Sequence, residues 1–289
     1  MVEIVTGKYQ FLQDLNFEDM LHARIIRPPH YHCELEALDT NVLSRLKEEG
    51  IYVVKDGSFL AVAAKNEYHA VKAARRVSLA ANWKAQKQLS EVNIYSQLTK
   101  NKKDSFFVEK GCVPSATREV PKIVKLNEDE HITVSAVYQK PYHMHASIGP
   151  SAGCAHFDGH SLQVWTHNQG VYPLRAAITE AFSMDTNNVT VQFIPGAGVY
   201  GHNGADDAAF DAAIIARHIP KHSILLKWTR DDENSWEPYG SAMHCEIQAS
   251  INKKGKISSW SHETYADTFL TRPITGKEPA TRMVSSHYI

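Results

Sequence analysis

The sequence predicts an α+β protein of two domains, on three observations. Residues 21–86 read as strand, helix, strand, strand, helix. Residues Val189 to Trp228 read as strand, glycine-rich loop, helix and strand. Two further pairs of strand-like segments are each joined by a tight turn, at Asp158-Gly159 and at Lys253-Lys254-Gly255. Runs of strands with helices set beside them define the α+β class, and 289 residues suffice for two domains with a sizeable core. A polar, lysine-rich stretch at 90–110, containing Lys100, Lys102 and Lys103, reads as a linker between a first domain at 1–89 and a second at 111–289.

In the first domain, Leu21, Ala23 and Ile25 sit at alternate positions, the period of a strand, and Pro28-Pro29 ends it. Thr40 to Glu49 is predicted helical because Val42, Leu43 and Leu46 share one face, and Gly50 stops it. Ile51 to Val54 reads as a strand leaving through Asp56-Gly57, and Phe59 to Ala63 as its successor. A long helix is predicted from about Glu67 to Gln86, with Ala70, Val71, Ala74, Val77 and Ala81 on one stripe.

In the second domain, Ile132, Val134 and Ala136 alternate, and Lys140 to His145 turns the chain. Gly153 to Phe157 and Leu162 to Thr166 form a predicted hairpin around Asp158-Gly159. Pro173 opens a helix lined by Leu174, Ala177, Ile178 and Ala181, where its missing N–H costs nothing. Val189, Val191 and Phe193 then alternate into a strand followed by Gly196, Gly198, Gly201 and Gly204. Four glycines permit sharp turns and close backbone approach to a ligand. Asp206 and Asp207 open an alanine-rich helix, where acidic residues favour the first turn. Ile224 to Trp228 is a strand that runs into Arg230-Asp231-Asp232-Glu233, and His244–Ile251 pairs with Ile257–Tyr265. The last residues, from about Asp267, show no clear period.

Hydrophobic residues make up 43% and charged residues 22%, as in a soluble globular protein. A net charge of −1 argues against a general nucleic-acid or membrane-surface binder. The sixteen histidines are scattered; the close pairs His30/His32 and His143/His145 lack the spacing of a zinc-binding helix. Cys33, Cys112, Cys154 and Cys245 form no CxxC, iron–sulfur or haem motif, so electron carriers must lie on another chain or segment. With no recognisable signal peptide and no apolar run of about 18 residues, the expected compartment is the cytoplasm, without membrane insertion.

Gly196, Gly198 and Gly201 satisfy G-x-G-x-x-G, with acidic residues beyond the next strand. That pattern is a dinucleotide-binding fingerprint when the first glycine follows the strand directly and the helix starts inside the motif. Here Pro195 intervenes and His202-Asn203-Gly204 prolong the loop. A nicotinamide-dependent oxidoreductase therefore stands as an alternative, not as the preferred reading.

The segments DLNFEDMLHARIIRPP (14–29) and VVKDGSFLAVAAKNEYHAVKAA (53–74) resemble the a/b hammerhead domain of molybdenum hydroxylases, the family of xanthine dehydrogenase and aldehyde oxidase. PYHMHASIGPSAGCAHFDG (141–159), VWTHNQGVYPLRAAI (164–178), VQFIPGAGVYGHNGADDAA (191–209) and KWTRDDENSWEPYG (227–240) resemble the start of that family's molybdopterin-binding region. The GHNGADD and WEPYG forms are most similar to the molybdopterin-binding subunits of the nicotinate dehydrogenase and isoquinoline 1-oxidoreductase type. The resemblance implies an a/b hammerhead at 1–89 and part of a mixed α/β molybdopterin-binding domain at 111–289. It further implies hydroxylation of an aldehyde or N-heterocycle carbon with oxygen drawn from water. The cofactor it implies is a molybdenum–molybdopterin dinucleotide in the cytosine form, with 2Fe–2S clusters on a small partner subunit.

Carried over position by position, the resemblance assigns the cofactor to Gly198, Tyr200, Gly201, His202 and Gly204 of the glycine loop, and to His143 and Gln169. His143 replaces a glutamine of the relatives, and His145 matches a histidine expected to be structural. Arg230 with Asp232 or Glu233 is expected to form an ion pair. The family's GQG segment and its general-base glutamate have no counterpart here, so no catalytic residue is assigned. The chain is therefore expected to be an internal piece of a longer large subunit, inactive alone and completed by the rest of that subunit and an iron–sulfur partner. A non-catalytic remnant or scaffold of the same fold is the first alternative, ahead of the nicotinamide-dependent oxidoreductase.

Overall fold

The computed structural model describes residues 2–85, 93–100, 130–201 and 205–266. In chain order the helices are α1 (Val2–Val5), α2 (Thr40–Glu48), α3 (Glu67–Ala80), α4 (Ile94–Lys100), α5 (Val171–Phe182), α6 (Ala205–His218) and α7 (Arg230–Trp236). The strands are β1 (Leu21–Ile25), β2 (Cys33–Leu38), β3 (Tyr52–Asp56), β4 (Phe59–Ala64), β5 (Ala81–Ala85), β6 (Glu130–Lys140), β7 (Ala152–Phe157), β8 (Leu162–Thr166), β9 (Val189–Phe193), β10 (Ser223–Lys227), β11 (Met243–Asn252) and β12 (Ile257–Ala266). The described residues fall into two compact units, one drawn from 2–85, 144–201 and 205–238, the other from 93–100, 130–143 and 239–266.

The larger unit is built on a seven-stranded mixed sheet in the order β3-β4-β1-β10-β7-β8-β9. Strands β1, β10, β8 and β9 run the same way: β1 pairs with β10 and β8 with β9 in parallel, and β7 lies antiparallel between β10 and β8. The period-2 alternation of the sequence sorts side chains onto the two faces. On β4, Ala61 and Ala63 join the cluster that includes the inner face of α6, while Leu60, Val62 and Ala64 join that of α2 and α3. Leu225 and Cys154 pack with Leu12 and Met20 of the N-terminal segment.

Helix α6 lies very close to the sheet because its inner face is alanine: Ala208, Ala209, Ala212, Ala213 and Ala216 are fully buried. Gly153 on β7 completes that fit, since a Cβ there would sit 2.5 Å from the Ala209 Cα. The Asp158-Gly159 hairpin forms as its sequence dictates, with Gly159 at φ 109° and the Asp158 carboxylate accepting from the His160 and Ser161 amides at 2.7 Å.

Three stretches depart from expectation. The helix predicted to reach Gln86 ends at Ala80, and Ala81–Ala85 becomes strand β5, paired with β2. Ala81 turns to φ −89°, ψ 126°, and Ala81 and Trp83 pack on the α2/α3 cluster as strand residues. Strand β2 was not expected, although Cys33, Leu35 and Ala37 alternate with Glu34 and Glu36 there. The acidic run after β10 is the first turn of α7, with Thr229 as N-cap: its hydroxyl accepts from the Asp232 amide at 3.1 Å, and the Asp232 carboxylate accepts from the Thr229 N–H at 2.8 Å.

The smaller unit holds the antiparallel sheet β12-β11-β6. Its β11–β12 hairpin turns at Gly255 as the sequence requires, and β6 pairs along the full length of β11. Helix α4 buries Leu98.

Candidate functional site

In an open sheet with parallel strands, ligands bind beyond the carboxyl ends. Three such ends in the larger unit carry the segments that the sequence singles out. Beyond β8 come His167, Asn168 and Gln169; beyond β9 the loop from Ile194 to Gly201; beyond β10 Thr229 and α7. The 145–151 segment enters β7 at the same edge, because β7 runs the opposite way.

The glycine loop is pinned at its start by the Ile194 amide donating to the Thr166 carbonyl (2.9 Å) and by the Leu12 amide donating to the Pro195 carbonyl (2.8 Å). His167 is fully buried beneath it, and a Cβ on Gly196 would lie 2.6 Å from its ring. The His167 Nε2 accepts from the Ala152 N–H at 3.1 Å, so the neutral ring carries its proton on Nδ1. Burial pushes this imidazole down to about 4.

Further along, Gly198 and Gly201 adopt φ of 131° and 124°, and Tyr200 the left-handed φ of 47°. Only glycine takes the first two without strain. A Cβ on Gly201 would lie 3.0 Å from the His145 ring, and one on Gly149 would lie 2.4 Å from the Ala197 Cβ. The loop is therefore seated on imidazoles and on the 145–151 segment.

That segment is gripped in turn by α7. The fully buried Glu233 accepts from the Ser151 amide (2.8 Å) and from the Ser147 and Ser151 hydroxyls (3.2 Å each). Arg230 donates to the carbonyls of Ser147 (2.8 Å) and Ile148 (2.6 Å). The expected pairing of Arg230 with Asp232 or Glu233 is thus corrected: Asp232 caps α7, Glu233 holds the serines, and the guanidinium satisfies two backbone carbonyls. Glu237, at the end of α7, accepts from the His145 amide. Burial raises the Glu237 carboxyl to about 7, with Glu233 beside it adding to the rise and the His145 amide opposing it.

Of the residues assigned from sequence, Gly198, Tyr200 and Gly201 lie together in this loop, against His145 and His167. Gln169 is exposed and directly precedes Gly170, the N-cap of α5. His143 belongs to the smaller unit, where it bridges Gly240 and its ring fills the space a Cβ on Gly240 would take (2.5 Å). His202 and Gly204 lie outside the described residues. Helix α6 begins only at Ala205, so none of Gly196, Gly198 and Gly201 is in the first turn of a helix, unlike a dinucleotide fingerprint. The sequence reading singled out Glu233 but gave it the wrong partner, and it missed His167 and Glu237; the available signal was two carboxyls four apart, in a short helix and at its C-cap, directly after a buried strand.

Residues 116–286 match the family model of the molybdopterin cofactor-binding domain. The match covers more than half of the chain, and the chain belongs to that family. It is 28% identical over 271 residues to a subunit of nicotinate dehydrogenase from Pseudomonas putida, covering 90% of this chain and 22% of that protein. It is 24% identical to the beta subunit of isoquinoline 1-oxidoreductase from Brevundimonas diminuta, covering 93% of this chain and 34% of that one. The crystal structure of quinoline 2-oxidoreductase from Pseudomonas putida superposes with a TM-score of 0.68 at 12% identity, over 91% of this chain and 38% of that chain. The chain thus spans between about a fifth and two fifths of the length of these proteins. No helix among the described residues is long and apolar enough to cross a membrane.

Proposed function

We propose that this chain is part of the molybdenum-cofactor-binding subunit of an oxidoreductase that hydroxylates an aldehyde or N-heterocycle carbon. The carrying observation is the glycine loop beyond β9, in which Gly198 and Gly201 adopt positive φ inside the region matched by the family. The named relatives support the reaction class, since they are a nicotinate dehydrogenase subunit and an isoquinoline oxidoreductase subunit.

The residues present fit an anionic pterin dinucleotide. Such a group needs backbone N–H donors that no side chain screens, and glycine at positive φ provides them. Gly198, Tyr200 and Gly201 would hold it, with His202, Gly204, Gln169 and His143 as further contacts by resemblance. When bound, the cofactor, in its cytosine form, would accept the two electrons of the oxidation, which would leave through 2Fe–2S clusters on a partner subunit. This chain's own part is to seat the loop: the neutral His167 beneath Gly196 and the α7 grip on 145–151 keep its peptide groups in place without competing charge at the loop itself. The segments follow the family pattern, with 1–89 as an a/b hammerhead, 90–110 as a linker and 111–289 as part of the cofactor-binding domain; the larger spatial unit draws on both ends of that division.

No general base is assigned in this chain, and proton removal from the attacking water needs one. The purified chain alone is therefore expected to give no turnover of an aldehyde or N-heterocycle with a dye acceptor. Turnover above the buffer control would overturn that reading.

A further inference from the structure

We infer that Glu237 is a positioning residue for the glycine loop, acting through His145. The inference rests on the reading above, in which that loop holds the cofactor, and adds the device that fixes its far arm.

The loop has two anchored places. At its start, Gly196 lies on His167, which β8 and β7 hold rigidly through the Ala152 amide. At its end, Gly201 lies on the His145 ring, and His145 is on an irregular segment with no strand or helix of its own. That ring is tied to α7: the Glu237 carboxylate accepts from the His145 amide, and its Oε1 is also 3.7 Å from Nδ1 of the ring. Both partners are shielded, with the His145 side chain 10% exposed and that of Glu237 fully buried.

Left-handed backbone on either side of this contact makes the arrangement depend on its anchors. Ala146 has φ 52° and Tyr200 φ 47°, conformations that L-residues keep only when their surroundings hold them. Ala146 is held on both flanks by α7: His145 by Glu237, and Ser147 by the Glu233 carboxylate and the Arg230 guanidinium. Glu233 and Arg230 act on residues 147–151, but Glu237 alone among these three ends on the residue whose ring touches the loop. Losing its acceptor oxygen would loosen His145 and, with it, the support under Gly201, while the strands and Glu233 stay in place.

The test is hydrogen exchange of the full chain, read on peptides covering 194–201 and on peptides from β8, β9 and β10. For Glu237→Ala the expected result is roughly tenfold faster exchange in the loop, with the strand amides unchanged. Glu237→Gln keeps an acceptor for the His145 amide and is expected to restore the wild-type rate. If Glu237→Ala does not fold, His145→Ala removes the ring while leaving the segment's backbone, and the same loop-only loosening is expected. Unchanged loop exchange, no rescue by glutamine, or equal loosening of loop and strands would each overturn the inference. Because exchange is read on the cofactor-free chain, failure of the cofactor assignment leaves this result independent.

Discussion

His167 carries the clearest pH signature in the site. Its ring titrates at about 4 in the fold, against 6.5 when unperturbed, because burial disfavours the charged form. Above pH 6.5 neither state binds the proton; as pH falls toward 4 the unfolded chain binds one that the fold refuses, so stability drops across that window by up to about 3 kcal/mol. Asp211, raised to about 6 by burial, works the other way: its folded-state proton stabilises at low pH, and this is lost as pH rises through 6. The two are separated by comparing denaturant midpoints at pH 7 and 4.5 for wild type and His167→Gln, in which the Asp211 contribution is common. Wild type is expected to lose more stability on acidification than the variant, and equal losses would contradict the assignment. At Gly196, alanine would drive its Cβ to 2.6 Å from the same ring, and the expected cost is about 1–3 kcal/mol in urea unfolding.

Glycines were legible at the residue scale because their spacing announces the turn; their anchors were not. Glu233 reads as a partner for Arg230 and Glu237 is given no role of its own, since carboxylates in short helices are mostly solvated. What buries them are groups 82 to 92 positions away, at His145, Ser147 and Ser151, and no local pattern records such partners.

Between elements, Arg27 ties four together. It pairs with Asp211 of α6 at 2.7 Å and lies over the rings of Trp228, after β10, and Trp236 of α7, at 4.8 and 5.3 Å. Trp228 donates its ring N–H to the same Asp211 carboxylate at 3.3 Å. Arg27→Ala leaves a buried carboxylate without its cation and is expected to cost about 3–5 kcal/mol. The double variant Arg27→Ala/Asp211→Asn is expected to recover part of that loss in the same denaturation assay; additive losses would show the pair to be uncoupled. Gly153→Ala tests the seating of α6, because its Cβ would meet main-chain atoms of Ala208 and Ala209 within 2.8 Å. The expected outcome is a lower midpoint by more than the Gly196 change, since backbone yields less readily than a side chain. Most elements were readable from period and turn chemistry, as the Asp158-Gly159 hairpin and the Ala-rich α6 illustrate. The misreading at 81–86 came from alanines whose helical stripe persists after strand pairing has taken over, a tertiary override of local propensity.

For the molecule as a whole, the sequence conveyed the class and the order of segments but not how they share one sheet. β1 of the N-terminal region pairs with β10, 203 positions later by the register Leu21 to Ile224, and such pairing leaves no local trace. The central claim is that this chain helps to hold a molybdenum–pterin cytosine dinucleotide. The direct measurement is the molybdenum and cytidine-monophosphate content of the native assembly, isolated through this chain from cells grown with molybdate. Both are expected in equal amount to the chain, and both are expected to be lost together on replacing Gly201 with valine, whose side chain the His145 ring and a φ of 124° exclude. An assembly that carries neither, or carries a nicotinamide nucleotide instead, would contradict the claim.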